Sequence, residues 1–466
     1  MSVVEPASPH NSSEPDAVQQ DVGERSRRYG LLDGAYQAVA QGGGEQYLSA
    51  FALLLHAGPF QLGILSALPQ LIGTVAQLAS VKLVRWFSDR KSLIMTGTVG
   101  QAVSWIPIIL LPVLLPRWGP WLLIAGAGLY FACNHFTAPL WTGFIADHLE
   151  EDERGAYFAR RASIIAAASF GALCAAGAVL AFWQEHAWSW VGFALIFSMA
   201  GAARFCSAIA LRPIEDLHHT ASGPGQGGFR RFLAETSRSF RHFLLFSSLM
   251  HVAVLIAGPF FVLYMLRDLH LSYLGYGSWL AAGVLGQLMT LQAWGRFGDR
   301  FGNKALLSIT GLSVPFLPML YLFSTNLGFM MGVNFLGGVV WAGLSLGLQN
   351  YVFDAVKPED RTKAVAVNNT FNALGWCCGA LLGGCLVDVL PSAIELSRLP
   401  MPLASHLPLV FLLSGLMRLA VAAALLGRFH EARAVERMPL TQLVFEVPLV
   451  KTMAQLIGSP LSRLNK

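Results

Sequence analysis

An acidic side chain inside an apolar stretch is the feature of this sequence with the clearest chemical potential. Glu45 lies near the middle of the first apolar segment, directly after Gly42, Gly43 and Gly44. A carboxylate at the centre of a bilayer costs on the order of 3 kcal/mol, so we expect Glu45 to face a water-filled cavity, to pair with a cation or to be protonated. Three glycines in series weaken a helix and free backbone groups that can serve as ligands. Glu45 is therefore predicted to couple an ion or contact a substrate; the alternative is a hydrogen-bonded carboxylate that only fixes packing.

Four other polar residues in or beside apolar segments are further candidates. Asn134 and His135 fall in the fourth segment and His251 in the seventh. Because histidine titrates near physiological pH, either ring could relay protons or bind a polar substrate, and the alternative is a neutral ring satisfied by a neighbour. Asp33 lies at one mouth of the first segment, where we expect it to cap a helix or form an ion pair at a gate, and the alternative is substrate contact.

A charged, glycine-rich stretch separates two later apolar segments. Its marked residues are Gly295, Gly298, Asp299, Arg300, Gly302 and Lys304. We expect a tight hairpin in which the glycines permit positive φ and close backbone approach, Asp299 caps the next helix, and the basic side chains stay in water. A shorter copy, with only Asp89 and Arg90 in common, lies between two earlier segments.

Charged residues recur at nearly one spacing along the chain. The recurring pairs are Asp89 and Asp299, Asp147 and Asp354, Arg154 and Arg361, and Arg204 and Arg418. In each pair the second residue follows the first by roughly 210 positions, which indicates two homologous halves. We expect structural roles for the last three pairs, with Arg204 and Arg418 bonding helix ends or carboxylates.

On these motifs the chain resembles the major facilitator superfamily of secondary transporters. The hairpin motif of that family, Gly-x-apolar-small-Asp-Arg-x-Gly-basic/Asn-basic, is met by residues 295–304, and its Asp-Arg core by Asp89 and Arg90. The resemblance covers about residues 30–430 and has a bacterial style. It implies an all-α polytopic membrane protein with 12 transmembrane helices in two pseudo-symmetric six-helix bundles. It also implies that the hairpin residues belong to a cytoplasmic gate whose ion pairs change with conformation, and from its position we assign Asp33 to the same gate.

Composition independently favours a membrane protein. The chain has 466 residues, of which 54% are hydrophobic and 13% charged, and a mean hydropathy of +0.53. These values are typical of polytopic membrane proteins, so the net charge of +5 requires no nucleic-acid partner. The six cysteines fall in apolar runs without metal-ligand spacing, and we expect no metal, cofactor or disulfide.

The apolar segments divide the chain into five parts. They are a disordered tail (1–28), a six-helix half (29–211), a linker (212–240), a second six-helix half (241–428) and a second tail (429–466). With both tails in the cytoplasm, only Arg117, Arg267 and Arg398 fall on the outer side, as the positive-inside rule requires. We expect a monomer in the cell membrane, the inner membrane in a Gram-negative bacterium, because one chain supplies both halves of the cavity.

Secondary active transport of a small molecule by alternating access, with proton coupling favoured, is the function that the sequence predicts. The alternative is a membrane sensor or assembly partner that keeps the fold without transporting. A membrane enzyme is disfavoured, because the sequence contains neither a metal-spaced His/Cys cluster nor a nucleophile elbow in a plausible setting. Substrate, direction and coupling ion stay open at this stage.

Overall fold

The computed structural model describes residues 13–84, 89–149, 151–186, 188–216, 229–357, 360–390, 405–433 and 435. Regular structure in these ranges is helical throughout. The α-helices are α1 (Ser13–Gly43), α2 (Leu48–Leu54), α3 (Pro59–Leu83), α4 (Arg90–Leu114), α5 (Gly119–Ala146), α6 (Glu151–Glu185), α7 (Ser189–Leu211), α8 (Phe229–Glu235), α9 (Arg238–Leu255), α10 (Phe261–Leu263), α11 (Tyr273–Phe301), α12 (Asn303–Ser313), α13 (Phe316–Leu320), α14 (Leu327–Asp354), α15 (Arg361–Val389) and α16 (Leu407–Leu425).

Eight helices in the described ranges are long and apolar enough to cross a membrane. They are α3, α4, α6, α7, α9 with its extension to Asp268, α14, α15 and α16. Four further elements pack among them: α1 with α2, α5, α11, and α12 with α13. Two of these elements, α1 with α2 and α12 with α13, are interrupted. Helix α5 carries Asn134 and His135, and α11 ends in a charged turn. Each of these features lowers the apolar character of its element. The total is consistent with the predicted twelve crossings.

The two halves repeat one packing scheme. Helix α1 packs on α6 and α7 as α9 packs on α15 and α16, and α3 packs on α5 as α11 packs on α14. The halves meet through α3 against α15 and through α6 against α11, which are symmetry-related contacts. His56 and His270, the two described non-glycine residues with positive φ (60° and 51°), also lie in equivalent turns. The packing supports the internal repeat that the spacing of charges predicted.

The two ends of the helix bundle are packed differently. We call the end where α3 turns into α4 the charged end. From the middle of the bundle to the opposite end one core is shared by both halves, and within it the ring of Tyr47 lies 6.2 Å from that of Tyr276. Toward the charged end the cores belong to one half each, apart from Ala67, which joins the core of the second half. The halves are therefore joined mainly at the opposite end.

The first predicted boundary differs from the structure. Helix α1 begins at Ser13, so residues 13–28, expected to form a disordered tail, are helical; residues 1–12 lie outside the described ranges. The Nη1 atom of Arg27 lies 2.8 Å from Glu153 of α6, which ties this extension to the bundle. A polar segment can thus remain helical where it continues a membrane helix.

The expected hairpin at residues 295–304 is also shorter than predicted. Helix α11 continues through Phe301, and only Gly302, with φ of 90°, makes the turn before α12. Gly298 packs closely, since a Cβ there would lie 3.2 Å from the side-chain oxygen of Asn303. Gly295 has no such neighbour within 4 Å, so the expected close approach is absent there. One residue with positive φ is enough to reverse the chain.

The predicted linker and second tail both contain ordered structure. Within 212–240, residues 229–235 form α8 and the hydroxyl of Ser237 caps α9, whereas residues 217–228 lie outside the described ranges. Past residue 428, Phe429 is fully buried and its ring lies 5.8 Å from that of Phe243. The second half therefore extends a few residues into the predicted tail, because an aromatic anchor holds it. Residues 434 and 436–466 lie outside the described ranges.

Candidate functional site

A cavity of about 640 Å³ lies between the two halves. Its polar and aromatic lining includes Glu45, Gln46, Gln70, His251, Ser345, Phe131, Tyr276, Trp279, Trp341 and Trp376. Among the described residues that line it, Glu45 is the one carboxylate, and none is lysine or arginine. The cavity therefore combines apolar walls with a single acidic group.

Glu45 stands where the first membrane helix is interrupted. Helix α1 ends at Gly43, residues 45–47 form a 3₁₀ turn, and α2 resumes at Leu48. A Cβ on Gly42 would lie 2.0 Å from the backbone oxygen of Ser169, and one on Gly44 would lie 2.7 Å from the ring of Trp105. The glycines thus let α1 approach α6 and α4 closely and hold the interruption in place. The break occurs where the three glycines were expected to weaken the helix.

One side chain on α5 contacts the carboxylate of Glu45. The hydroxyl of Tyr130 donates a hydrogen bond to Oε2 over 3.3 Å. Glu45 is half-buried and lines the cavity. A carboxylate so placed can accept a proton or bind the polar group of a small molecule.

His251 on α9 reaches the same cavity from the second half. Its Nδ1 donates to the backbone oxygen of Ser247 over 2.7 Å, which leaves Nε2 as an acceptor in the neutral ring. Its ring lies 6.1 Å from that of Trp376, whose indole N–H donates to the Ser66 oxygen on α3 over 3.0 Å. The structure thus brings two of the four predicted coupling residues, Glu45 and His251, to one cavity.

Asn134 and His135 are placed elsewhere. Neither lines the cavity, although both lie on α5, one turn beyond Tyr130 and Phe131. The His135 ring fills the space beside Gly73 of α3, where a Cβ would lie 2.9 Å from it. His135 packs between α3 and α5, because the missing side chain of Gly73 makes room for its ring. A coupling role for Asn134 and His135 stays a prediction that the cavity lining does not support.

Asp33 belongs to a buried network inside the first half. It is 2% exposed, accepts a hydrogen bond from the Ser207 hydroxyl and lies 3.4 Å from Arg161 Nη2. Arg204 donates to the same Ser207 hydroxyl over 2.9 Å and to the Gln101 side chain. The network joins α1, α4, α6 and α7, so the Asp33 ion pair lies within the first half, and its role at a gate stays a prediction.

Arg418 occupies the matching place in the second half with different partners. Its guanidinium donates to the backbone oxygens of Val314 and Val254, over 3.2 and 3.4 Å, and to the Ser414 hydroxyl over 3.2 Å. These oxygens lie at the ends of α12 and α9, where helix dipoles favour a cation. Arg418 thus bonds helix ends in this structure, and its shared structural role with Arg204 stays a prediction.

The first charged hairpin is centred on Arg90. Its Nη2 lies 2.6 Å from Asp147 at the end of α5 and 3.1 Å from Asp216 after α7. Asp216 also accepts from the backbone N–H of Arg90 over 2.9 Å. These recorded contacts fasten three helix ends of the first half together, and a gating role for Arg90 stays a prediction.

Asp89 caps the start of α4. It accepts from the Ser92 hydroxyl and from the backbone N–H of Lys91, the latter over 3.0 Å. The hydrogen bond from Ser92 is the main reason that the pKa of Asp89 is lowered from its ordinary value. The charged form of Asp89 therefore stabilises this helix start.

The second hairpin uses other residues for the same contacts. Asn303 donates to Asp354 over 2.6 Å, and Glu431 accepts from the backbone N–H of Lys304 over 2.8 Å. The expected cap of α12 by Asp299 is thus wrong, because α11 continues past Asp299 and leaves it exposed. The Arg300 side chain stacks on the Phe301 ring at 4.8 Å.

The structure describes only one side chain of the predicted pair Arg154 and Arg361. The side chain of Arg154 lies outside the description, and Arg361 begins α15 as an exposed residue.

Four functional neighbours were missed by sequence reasoning: Tyr130, Arg161, Asp216 and Glu431. The last two lie 215 positions apart and bond equivalent N–H groups, so the repeat spacing could have found them. For Tyr130 and Arg161 the sequence carried no signal beyond residue type.

Comparison with known proteins finds similarity to a transporter family and to individual transport proteins. The family model described as Major Facilitator Superfamily matches residues 243–460. A probable peptide/nitrate transporter of Arabidopsis thaliana is 26% identical over 136 residues, which cover 28% of this chain and 28% of that protein. Multidrug resistance protein 1 of Bacillus subtilis is 27% identical over 124 residues, covering 27% of this chain and 32% of that protein. The matches thus span about a third or less of these curated relatives.

Two solved structures are similar over most of the chain. A mutant of the nucleoside transporter NupG superposes with a TM-score of 0.70 at 11% identity, covering 87% of this chain and 100% of that one. A D-xylose-proton symporter gives 0.69 at 13% identity, with 90% and 99% covered. At such identities the likeness concerns the fold alone.

Proposed function

Because residues 243–460 match the model of the Major Facilitator Superfamily and the fold resembles that of a solved symporter, we propose that this chain is a secondary active transporter that moves a small molecule by alternating access. The observation that carries this proposal is the position of Glu45, a carboxylate at a helix break that lines the cavity between the two halves. The halves are joined mainly at one end, which leaves the other end free to open and close as they rock.

Proton coupling through Glu45 is part of the proposal. An ionised carboxylate at mid-membrane is costly when a closing cavity removes its water, and protonation removes that cost. The bond from Tyr130 supports the charged form but supplies no compensating positive charge. Glu45 would therefore take up a proton before the cavity changes the side to which it opens.

The lining of the cavity limits the substrate class. Rings such as Trp341 and Trp376 favour apolar or aromatic molecules, and the faces of such rings also attract cations. Since Glu45 supplies negative charge and no described lining residue supplies positive charge, an anion would be disfavoured. We propose a neutral or cationic substrate. The named relatives, described as peptide/nitrate and multidrug transport proteins, do not narrow it further.

We further propose that the charged end lies in the cytoplasm and that the transporter works as a monomer in the cell membrane. Basic residues such as Arg90, Arg241 and Arg428 lie at this end, as expected for a cytoplasmic surface. Under this orientation the cavity of the present structure faces inward.

Proton flux in proteoliposomes tests the function. A pH-sensitive dye is enclosed, neutral and cationic compounds are added, and the parent is compared with Glu45→Gln and with Glu185→Gln, an exposed carboxylate outside the cavity. We expect compound-dependent proton flux in the parent and in Glu185→Gln, and at least a tenfold loss in Glu45→Gln with binding retained.

Two results would contradict the proposal in different ways. Transport without proton flux, unchanged in Glu45→Gln, would remove the coupling role and leave transport standing. Binding of a compound that never crosses the bilayer would favour the non-transporting sensor or assembly partner.

A further inference from the structure

A second cavity, of about 600 Å³, lies at the charged end of the second half. Its lining is basic and comes from the start of α9 and the segment after α16: Arg238, Ser239, His242, Gly427, Arg428 and His430. Neither the transport cavity nor the hairpin contacts include these side chains. We call it the basic pocket.

Two hydrogen bonds fix the shape of the basic pocket. Nδ1 of His242 lies 3.1 Å from the backbone oxygen of Arg428, and the backbone N–H of His430 donates to the Ser239 hydroxyl over 3.1 Å. The two segments are therefore held side by side, with Arg238 and Arg428 exposed on the pocket walls.

The positive charge of the basic pocket has no recorded counter-charge within the described part of the chain. The structure records no ion pair for Arg238 or Arg428 there, and no lining residue is acidic. The nearby carboxylate of Glu431 accepts instead from the backbone N–H groups of Lys304, Ala432 and Arg433, over 2.8 to 3.2 Å. Two arginines thus line a space that suits an anion.

An exposed apolar surface continues from the basic pocket along α9. On α9, Leu245 and Leu249 follow Arg238 at seven and eleven positions, so they lie on the same helix face, and both are exposed. Leu416 is exposed on α16, which packs on α9. The basic pocket therefore opens beside a surface suited to acyl chains.

We propose that the basic pocket binds the headgroup of an anionic phospholipid, with its acyl chains along the outer faces of α9 and α16. The arginines bond the phosphate, and Ser239, His242 and His430 supply further polar contacts to the headgroup. A free phosphate would use the arginines but not the apolar surface, so the adjoining leucines favour the lipid. The bound lipid joins the start of α9 to the end of α16 and stabilises the second half.

Thermal unfolding of the full chain in detergent tests this site. Phosphatidylglycerol, phosphatidylcholine or inorganic phosphate is added to the parent, to Arg238→Gln/Arg428→Gln and to Arg241→Gln, an exposed arginine of α9 that does not line the pocket. We expect phosphatidylglycerol to raise Tm by several degrees more than phosphatidylcholine in the parent and in Arg241→Gln, since a ligand of the folded state stabilises it. The double variant should lose that difference.

Native mass spectrometry of the same samples counts bound phosphatidylglycerol directly. An equal lipid effect in the double variant overturns the site, and an equal Tm rise with inorganic phosphate overturns the assignment to a lipid. If the double variant fails to fold, the single variant Arg238→Gln, which changes an exposed side chain, replaces it. The same lipid comparison with this variant then tests the site.

Discussion

The hydroxyl of Tyr130 lies 3.3 Å from the Oε2 atom of Glu45 and donates a hydrogen bond to it. This contact joins the middle of α5 to the interruption of the first membrane helix. Within the described residues, Tyr130 is the one side chain for which a hydrogen bond to the Glu45 carboxylate is seen, and this bond favours the charged form of that group.

Replacing Tyr130 by Phe should therefore change the pH dependence of transport. Removing the donor disfavours the ionised carboxylate, and we expect the profile of transport rate against pH to move upward by roughly 0.5 to 1 pH unit. The profile is measured in proteoliposomes with a fixed substrate. Tyr264→Phe, a buried tyrosine outside the cavity lining, is the control; an unmoved profile in Tyr130→Phe would show that the contact does not bear on coupling.

Asp33→Asn should destabilise the first half. The change leaves Arg161 and Arg204 without a carboxylate in a buried network, and breaking such an arrangement costs about 3 kcal/mol. We expect a clearly lower Tm in detergent. Arg27→Gln breaks an ion pair whose side chains are 39% and 41% exposed and should cost less than about 1 kcal/mol. Similar losses in both variants would contradict the importance of the network.

Asp216→Asn and Glu431→Gln should weaken equivalent helix starts to different degrees. Asp216 accepts from a backbone N–H at the start of α4, and Glu431 accepts from one at the start of α12. Such a cap is worth about 1 kcal/mol. Asp216 also pairs with Arg90, so its replacement should lower Tm more. Thermal unfolding compares the two variants, and the reverse order would show that the ion pair adds no stability.

Gly42→Ala and Gly295→Ala should have opposite effects. A methyl group on Gly42 would lie 2.0 Å from the Ser169 oxygen, and such overpacking against backbone costs about 1 to 3 kcal/mol. Gly295 is helical with nothing within 4 Å, so alanine there should add about 0.5 to 1 kcal/mol of stability. Unfolding midpoints in detergent measure both. An unchanged unfolding midpoint in Gly42→Ala would mean that α1 and α6 separate easily.

The length and spacing of the apolar segments already determined the fold class, because a helix in lipid must satisfy its own backbone groups and needs about 20 apolar residues to cross. The recurrence of Asp147 as Asp354 and of Arg204 as Arg418 predicted two homologous halves from the sequence alone. The glycines before Glu45 marked the helix break, since they disfavour a continuous helix.

Tertiary structure alone decided which side chains meet. Glu45 and Tyr130 are 85 positions apart, and Asp33 and Arg161 are 128 apart, so their contacts depend on how each helix is rotated and placed against its neighbours. The same rotation turned His251 toward the cavity and His135 against Gly73. Local spacing reports which face of a helix a residue occupies, but the partner of that face is set by packing among helices that are remote in sequence.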